Sequence, residues 1–344
     1  MKKVLFYSLI PIYAALFYLA GKAYFFGFFV GPVGDTLFVK ANSGKIIENG
    51  SRQYPFTRIE PALERAKHDE EVRVISITPG EYQGKIRLRP GLKLIAERPG
   101  VKIKYPYQDF TRYEHSRFMN YDDSAGAVVV MQQDNYLYGL ELFNGYFGAL
   151  IEESGGSRIE DTFIRDNRKY GILNLEQEQP EPAKSNIIYK ATVAQSGKQG
   201  MYLQKSLMKV LNCKVYYNAE EGIDLHEGMT VIIKNCSVND NGESGIEADL
   251  GNNEIYIENC TVKGNQKQGV TLQSSEENTS VVLRNNVIQY NHHYGLRCVV
   301  HSKTEKAYFS RALVDGLDYV LGNNQIQYNG VEEGVKNVAS KCKK

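Results

Sequence analysis

Four side chains suited to proton or cation chemistry recur at a fixed interval. Asp224 and His226 stand two residues apart, and Glu247 and Asp249 repeat that pair 23 residues later. Carboxylates beside an imidazole can work as general acid and base, with pKa values set by their surroundings. The oxygens of Asp224, Glu247 and Asp249 could instead ligate a hard cation such as Ca²⁺. Like charges held together repel, so protons or a cation must offset such a cluster. The bland alternative is a polar face whose charges point into water.

Whether these residues meet depends on the elements that carry them. An Asn-x-x-x-Gly-apolar pattern runs through Asn144/Gly148, Asn167/Gly171, Asn218/Gly222, Asn241/Gly245, Asn265/Gly269 and Asn291/Gly295. Gly200 fits with Ser196 in the Asn slot, and Gly334 fits with one extra residue after Asn329. Successive glycines are 23, 29, 22, 23, 24, 26 and 39 residues apart. A second ladder of Asn212, Asn235, Asn259, Asn285 and Asn323 keeps similar spacing. Repeats of this length signal a solenoid. Short β-type runs such as Val231-Ile232-Ile233 occur in each unit, without a helical period. The expectation is a single-stranded parallel β-helix: one short-stranded coil per repeat, with Gly permitting the turn into each strand and Asn side chains satisfying the turns. Long intervals place loops at 176–185 and 299–316.

Strand alternation then sorts the side chains. One and three residues after each glycine lie Met201/Leu203, Ile223/Leu225, Ile246/Ala248, Val270/Leu272 and Leu296/Cys298, which should face the core. Two residues after it, Tyr202, Asp224, Glu247, Thr271 and Arg297 should form one outward column. Gln204, His226, Asp249 and Gln273 should form the next, with Lys205, Glu221, Glu227 and Lys267 at the ends of the patch.

The rest of the chain sets the context. Its 344 residues are 42% hydrophobic with a formal net charge of +1, which argues against both wholesale disorder and a broad phosphate-reading surface, hence against nucleic acid as a partner. Residues 4–21 carry no charge and follow Met1-Lys2-Lys3. They read as a transmembrane helix within a membrane anchor over 1–34, with a signal peptide cut after Ala23 as the alternative. Either places the domain over 35–344 outside the cytosol, in the periplasm or at the cell surface. Cys213, Cys236 and Cys260 recur once per repeat as small core residues, close enough that a bridge between two of them stays open. The segment from Tyr105 to Tyr121 is an aromatic insertion that could wall a sugar groove or simply cover the solenoid.

Two resemblances sharpen these expectations. Asn49-Gly50-Ser51, Pro55-Phe56-Thr57-Arg58-Ile59, an Ala62…Ala66 helix and Pro79-Gly80-Glu81-Tyr82 resemble the opening segment of right-handed parallel β-helix proteins of the pectin-lyase-like superfamily. With the repeats, that likeness covers about residues 35–340. It implies an all-β right-handed parallel β-helix whose first rung is capped by a short N-terminal helix. Gly222-Ile223-Asp224-Leu225-His226-Glu227 is similar to the Gly-Phe-Asp-Pro-His-Glu/Asp segment of mannuronan (alginate) C5-epimerases. Asp240-Asn241-Gly242-Glu243-Ser244-Gly245-Ile246-Glu247-Ala248-Asp249 is similar to their Asp-Asn-Gly-x-x-Gly-Phe-x-Ala-Asp. Lys267-Gln268-Gly269-Val270 falls where the family has Arg-His-Gly-Phe.

The second resemblance implies that His226 and a tyrosine exchange protons at C5 of a uronate in an anionic polysaccharide. Asp224 and Asp249 would shape the site, and Lys267 would neutralise the substrate carboxylate. Two positions depart from the pattern: Glu221 stands where the family has its tyrosine, and Leu225 replaces the proline. Tyr202, in the column of Asp224, is the candidate phenol, with Tyr294 as another. Glu247, Gln204, Gln273, Arg297 and Lys205 are candidate substrate contacts. The readings carried forward are C5-epimerase, polysaccharide lyase by β-elimination, and a non-catalytic glycan-binding or scaffolding module of a membrane-bound assembly.

Overall fold

The computed structural model describes residues 34–106, 126–152, 155–175, 184–226, 228–250, 254–274, 279–300 and 317–330. Residues 1–33 of the expected membrane anchor, most of the aromatic insertion, Glu227 and most of both long loops lie outside them, while the second loop's first two positions, 299 and 300, belong to the strand Leu296–Val300. No helix among the described residues is long and apolar enough to cross a membrane.

The described strands form three parallel sheets of 11, 9 and 10 strands, and consecutive strands join them in rotation. Lys214–Tyr216, Ile223–Leu225 and Thr230–Lys234 are one such set, each from a different sheet. Every strand pairs in parallel with its counterpart one coil away, as in Val231↔Ile255 and Ile255↔Val281. This is the expected parallel β-helix. Apolar side chains stack along its axis at the rung spacing of about 4.8 Å. Val231, Ile233, Ile255, Ile257, Val281 and Leu283 are all fully buried, as are the inward residues predicted beside the repeat glycines, Cys298 being 6% exposed.

The two asparagine ladders solve different problems. Asn218, Asn241, Asn265, Asn291 and Asn329 are buried at one corner. Each amide donates to the Oδ1 of the next at 2.9–3.0 Å, and that oxygen also accepts the backbone N–H of the residue below. Asn212, Asn235, Asn259, Asn285 and Asn323 instead adopt φ of +53 to +56°. Asn tolerates this left-handed region better than most residues.

The repeat glycines serve close packing rather than left-handed backbone. A Cβ on Gly222 would lie 2.7 Å from Gly245 O, 2.7 Å from Asn241 Nδ2 and 2.5 Å from Val238 Cγ1. Cys213, Cys236 and Cys260 are buried free thiols, so the open question of a bridge among them resolves to one small residue per rung. Cys298 is disulfide-bonded.

At the N-terminal end, helix Ile59–His68 buries Ile59, Ala62 and Ala66 against strands Thr36–Val39 and Ile86–Arg87. Arg89 Nε donates to Ala66 O at 2.7 Å, satisfying a carbonyl of the last helical turn. The outer face of the 9-stranded sheet divides in two. Its early rungs carry a second buried apolar cluster of Ala127, Val130, Phe147, Leu150 and Leu173. Polar columns begin where that cluster ends, at Tyr202.

Candidate functional site

The register confirms the predicted outward column. Tyr202 pairs with Asp224, Asp224 with Glu247, Glu247 with Thr271, and Thr271 with Arg297. In the second column Asp249 pairs with Gln273. Alternation along Ile223-Asp224-Leu225 turns the aliphatic pair into the core and leaves Asp224 on the outer face. The face is far from uniformly open: Asp224 is 9% exposed and Thr271 2%.

His226 sits among the predicted partners. Its Nε2 lies 3.6 Å from Asp224 Oδ2, and its Nδ1 lies 3.9 Å from Asp249 Oδ2. These are electrostatic contacts, too long for good hydrogen bonds. The Tyr202 ring lies against the imidazole with centroids 4.4 Å apart. Tyr202 stacks in turn on Tyr170 (4.8 Å, 11°), and Tyr170 on Phe147 (5.6 Å, 15°). His226 therefore ends an aromatic stack that climbs one ring per rung out of the outer apolar cluster. Lys169, only 8% exposed, places its ammonium 4.7 Å from the Tyr170 ring centroid. Burial raises the Tyr170 phenol well above its ordinary range, with the Tyr202 phenol and Asp224 adding to it.

A third column was not anticipated as such: the residues immediately before each glycine, Gln199, Glu221, Ser244 and Gln268. The chain bends at the glycine, so these share the outer face with the column two residues after it. Gln199 Nε2 donates to Glu221 Oε2 at 3.0 Å and reaches Asp224 Oδ2 at 3.4 Å. Ser244 Oγ lies 3.0 Å from Glu247 Oε2, 3.1 Å from Gln268 Oε1 and 3.1 Å from Thr271 Oγ1. The repeat spacing could have revealed this column; Glu221 was expected at an end of the patch and at the position where the resembled family has its tyrosine.

Electrostatics single out Glu221. It is 6% exposed. Burial, reinforced by a hydrogen bond with Glu243, pushes its carboxyl up to about 9. Glu243 is held below the usual carboxylate range by that same hydrogen bond and by Lys267, whose Nζ lies 2.5 Å from Glu243 Oε1. Burial raises Glu247 as well, with Asp224, Asp249 and Glu243 adding repulsion.

The remaining predicted residues spread around this centre. Gln273 donates its amide to Glu247 Oε1. Gln204 is half-buried, and its backbone carbonyl accepts from Asn174 Nδ2 at 3.1 Å. The Lys205 stem packs beside Gly228. Arg297 is exposed at the upper end of the column. Among the described residues no group of three or more His, Cys, Asp or Glu side chains is arranged to hold a metal ion, Asp224, Glu247 and Asp249 included. Side-chain amides meet Asp224 and Glu247, and the Ser244 hydroxyl meets Glu247.

Residues 148–314 match the family model described as the right handed beta helix region. Among solved structures, pectate lyase Pel9A is 17% identical with a TM-score of 0.53, over 79% of this chain and 78% of that one. The A-module of the Azotobacter vinelandii mannuronan C-5 epimerase AlgE6 is 13% identical with a TM-score of 0.46, over 77% and 94%. A mutant of the periplasmic alginate epimerase AlgG is 14% identical with a TM-score of 0.47, over 73% and 68%. No curated protein sequence matches the chain significantly. At such identities the likeness speaks to fold alone. By its three parallel sheets and its ladders the chain is a parallel β-helix, residues 148–314 match the right handed beta helix region, and the fold is shared with pectate lyase Pel9A.

Proposed function

We propose that the protein is a carbohydrate-active enzyme that removes the C5 proton from a uronate residue of an anionic polysaccharide, with C5-epimerisation as the outcome. The observation that carries this reading is His226, set against Tyr202 and flanked by Asp224 and Asp249 on one face of the solenoid. A uronate C5–H is acidified by the adjacent carboxyl group. His226 takes the proton, Asp224 and Asp249 orient the imidazole and stabilise its charged form, and Tyr202 fixes the ring plane. Lys267 and exposed Arg297 supply positive charge toward the carboxylate that becomes enolate-like. Gln204, Gln273, Glu247 and Lys205 line the path of the chain on either side.

The pectin-lyase-like fold, which the chain shares with a pectate lyase, supports a polysaccharide partner. A lyase would begin with the same proton abstraction and then expel the 4-linked sugar, leaving an unsaturated product. In this reading residues 1–34 anchor the domain to a membrane, facing away from the cytosol.

The test is proton NMR of uronate polymers in D2O. Wild-type protein should wash out H5, and His226→Ala should slow that exchange at least ~100-fold while leaving the circular dichroism spectrum unchanged. Exchange that survives His226→Ala would rule the site out. An ultraviolet-absorbing unsaturated product would replace epimerase with lyase.

A further inference from the structure

Proton abstraction at C5 is half of an inversion. A second group must return a proton to the opposite face. The Tyr202 ring stacks on Tyr170 at 11° and lies tilted by 48° against His226 with centroids 4.4 Å apart, so it packs beside the imidazole rather than facing it across a sugar. Glu221 lies on the other side of Asp224, three residues before it, while His226 lies two residues after. A pyranose seated over Asp224 would have one group on each side.

We propose that Glu221 is the acid that delivers this proton to C5, held beside Asp224 by the Gln199 amide that the two carboxyl groups share. The assignment rests on the proton-abstraction reading above. Its geometric basis is the shared donor: Gln199 Nε2 lies 3.0 Å from Glu221 Oε2 and 3.4 Å from Asp224 Oδ2, which holds the two acids side by side. Two carboxyl groups can be hydrogen-bonded only if they share a proton, and the Lys267 ammonium 2.5 Å from Glu243 fixes the anion there and leaves the proton on Glu221. Glu221 is 6% exposed, and burial disfavours its charged form.

A second observation points to a ligand. Gln199, 9% exposed, uses its amide N–H groups on Glu221 and Asp224, which leaves its buried Oε1 with no hydrogen-bond partner. This acceptor belongs to the same amide whose Nε2 bridges the two acids, and a sugar hydroxyl would satisfy it. The charged and titratable groups around Glu221 are Glu243 and Glu247 from the next rung and Asp224 from its own. Lys267 lies one rung further on, and the Lys198–Glu220 pair (3.0 Å) lies at the edge. Burial and Glu243 together keep the acid loaded up to about pH 9.

The step balances. The C5–H bond breaks, its proton goes to His226, and its electron pair enters the C5–C6 enolate. The Glu221 O–H bond then breaks, its proton bonds to C5 from the opposite face, and the pair returns to C5. Imidazolium and carboxylate are left, and exchange with water restores both groups. Nothing is oxidised or reduced.

The experiment follows polymannuronate, polyguluronate and polygalacturonate in D2O, reading deuterium at C5 and inversion at C5 separately. Glu221→Gln keeps the size and the Gln199 contact but has no acidic proton. It should lose inversion at least 100-fold while H5 exchange, driven by His226, persists within tenfold. Glu243→Gln removes the partner that keeps Glu221 protonated, so the alkaline limb of inversion, near pH 9 in the wild type, should move at least half a unit lower. Inversion by Glu221→Gln within threefold of wild type overturns the assignment and leaves the role of His226 standing. Parallel loss of exchange and inversion in a folded Glu221→Gln, or an unmoved limb in Glu243→Gln, overturns it too. Wild-type protein that neither exchanges nor inverts any of the three polymers overturns the parent reading, and the assignment falls with it.

Discussion

A carboxyl buried against another carboxyl holds its proton, and that has a consequence for folding as well as for chemistry. The Glu221 carboxyl is raised from an ordinary 4.5 to about 9. Across that window the unfolded chain releases the proton and the folded protein keeps it, so stability falls as pH rises. The contribution is complete below the ordinary value and gone above the raised one. One linked proton is worth at most about 1.4 kcal/mol per pH unit. Denaturant unfolding between about pH 5 and pH 8 should therefore show a shallower decline for Glu221→Gln than for wild type, and an unchanged slope would contradict a buried, protonated Glu221. Asp224, His226, Glu247 and Asp249 were legible in the sequence because each sits an even number of residues beyond its repeat glycine, where strand parity is reliable. Glu221 and Gln199 precede the glycine. The bend there breaks the alternation, so parity says nothing of which way they face.

At the scale of one element, the corner ladder and the glycine behind it are coupled. Asn265 Nδ2 donates to Asn291 Oδ1 and Val238 O, and its Oδ1 accepts two bonds from Asn241. Asn265→Ala strands buried partners on both neighbouring rungs and should cost about 2–4 kcal/mol in denaturant unfolding. A Cβ at Gly245 would press to 2.6 Å from Asn265 Nδ2 and 2.8 Å from Gly269 O. Gly245→Ala should therefore destabilise by about 3 kcal/mol, and a neutral effect would show the corner to be looser than drawn. Both ladders were visible as spacing, although spacing could not say that one works through side-chain hydrogen bonds and the other through left-handed backbone. The outer apolar cluster was not legible at all. Phe147, Leu150 and Leu173 are as apolar as their core-facing neighbours, and sequence alone does not tell a covered outer face from a second inner one.

The whole molecule is a stack in which each rung meets only its neighbours, so its ends are where it opens. Helix Ile59–His68 closes one end through Ile59, Ala62 and Ala66. Ala66→Glu should lift that cap and strip hydrogen-exchange protection from Thr36–Val39 and Val74–Ile77, while Val231, Ile233 and their stack stay protected. Uniform loss along the solenoid would contradict nearest-neighbour stability. The same architecture explains why a site built from four rungs can hold its geometry. Tyr202, Asp224, Glu247 and Thr271 are fixed by the register that fixes the core, so the chemistry is as rigid as the stack. The most direct test of the account is the fate of H5 when a uronate polymer is incubated with the protein in D2O. The account predicts deuterium at C5 that requires His226, and H5 left intact on every uronate polymer offered would contradict it.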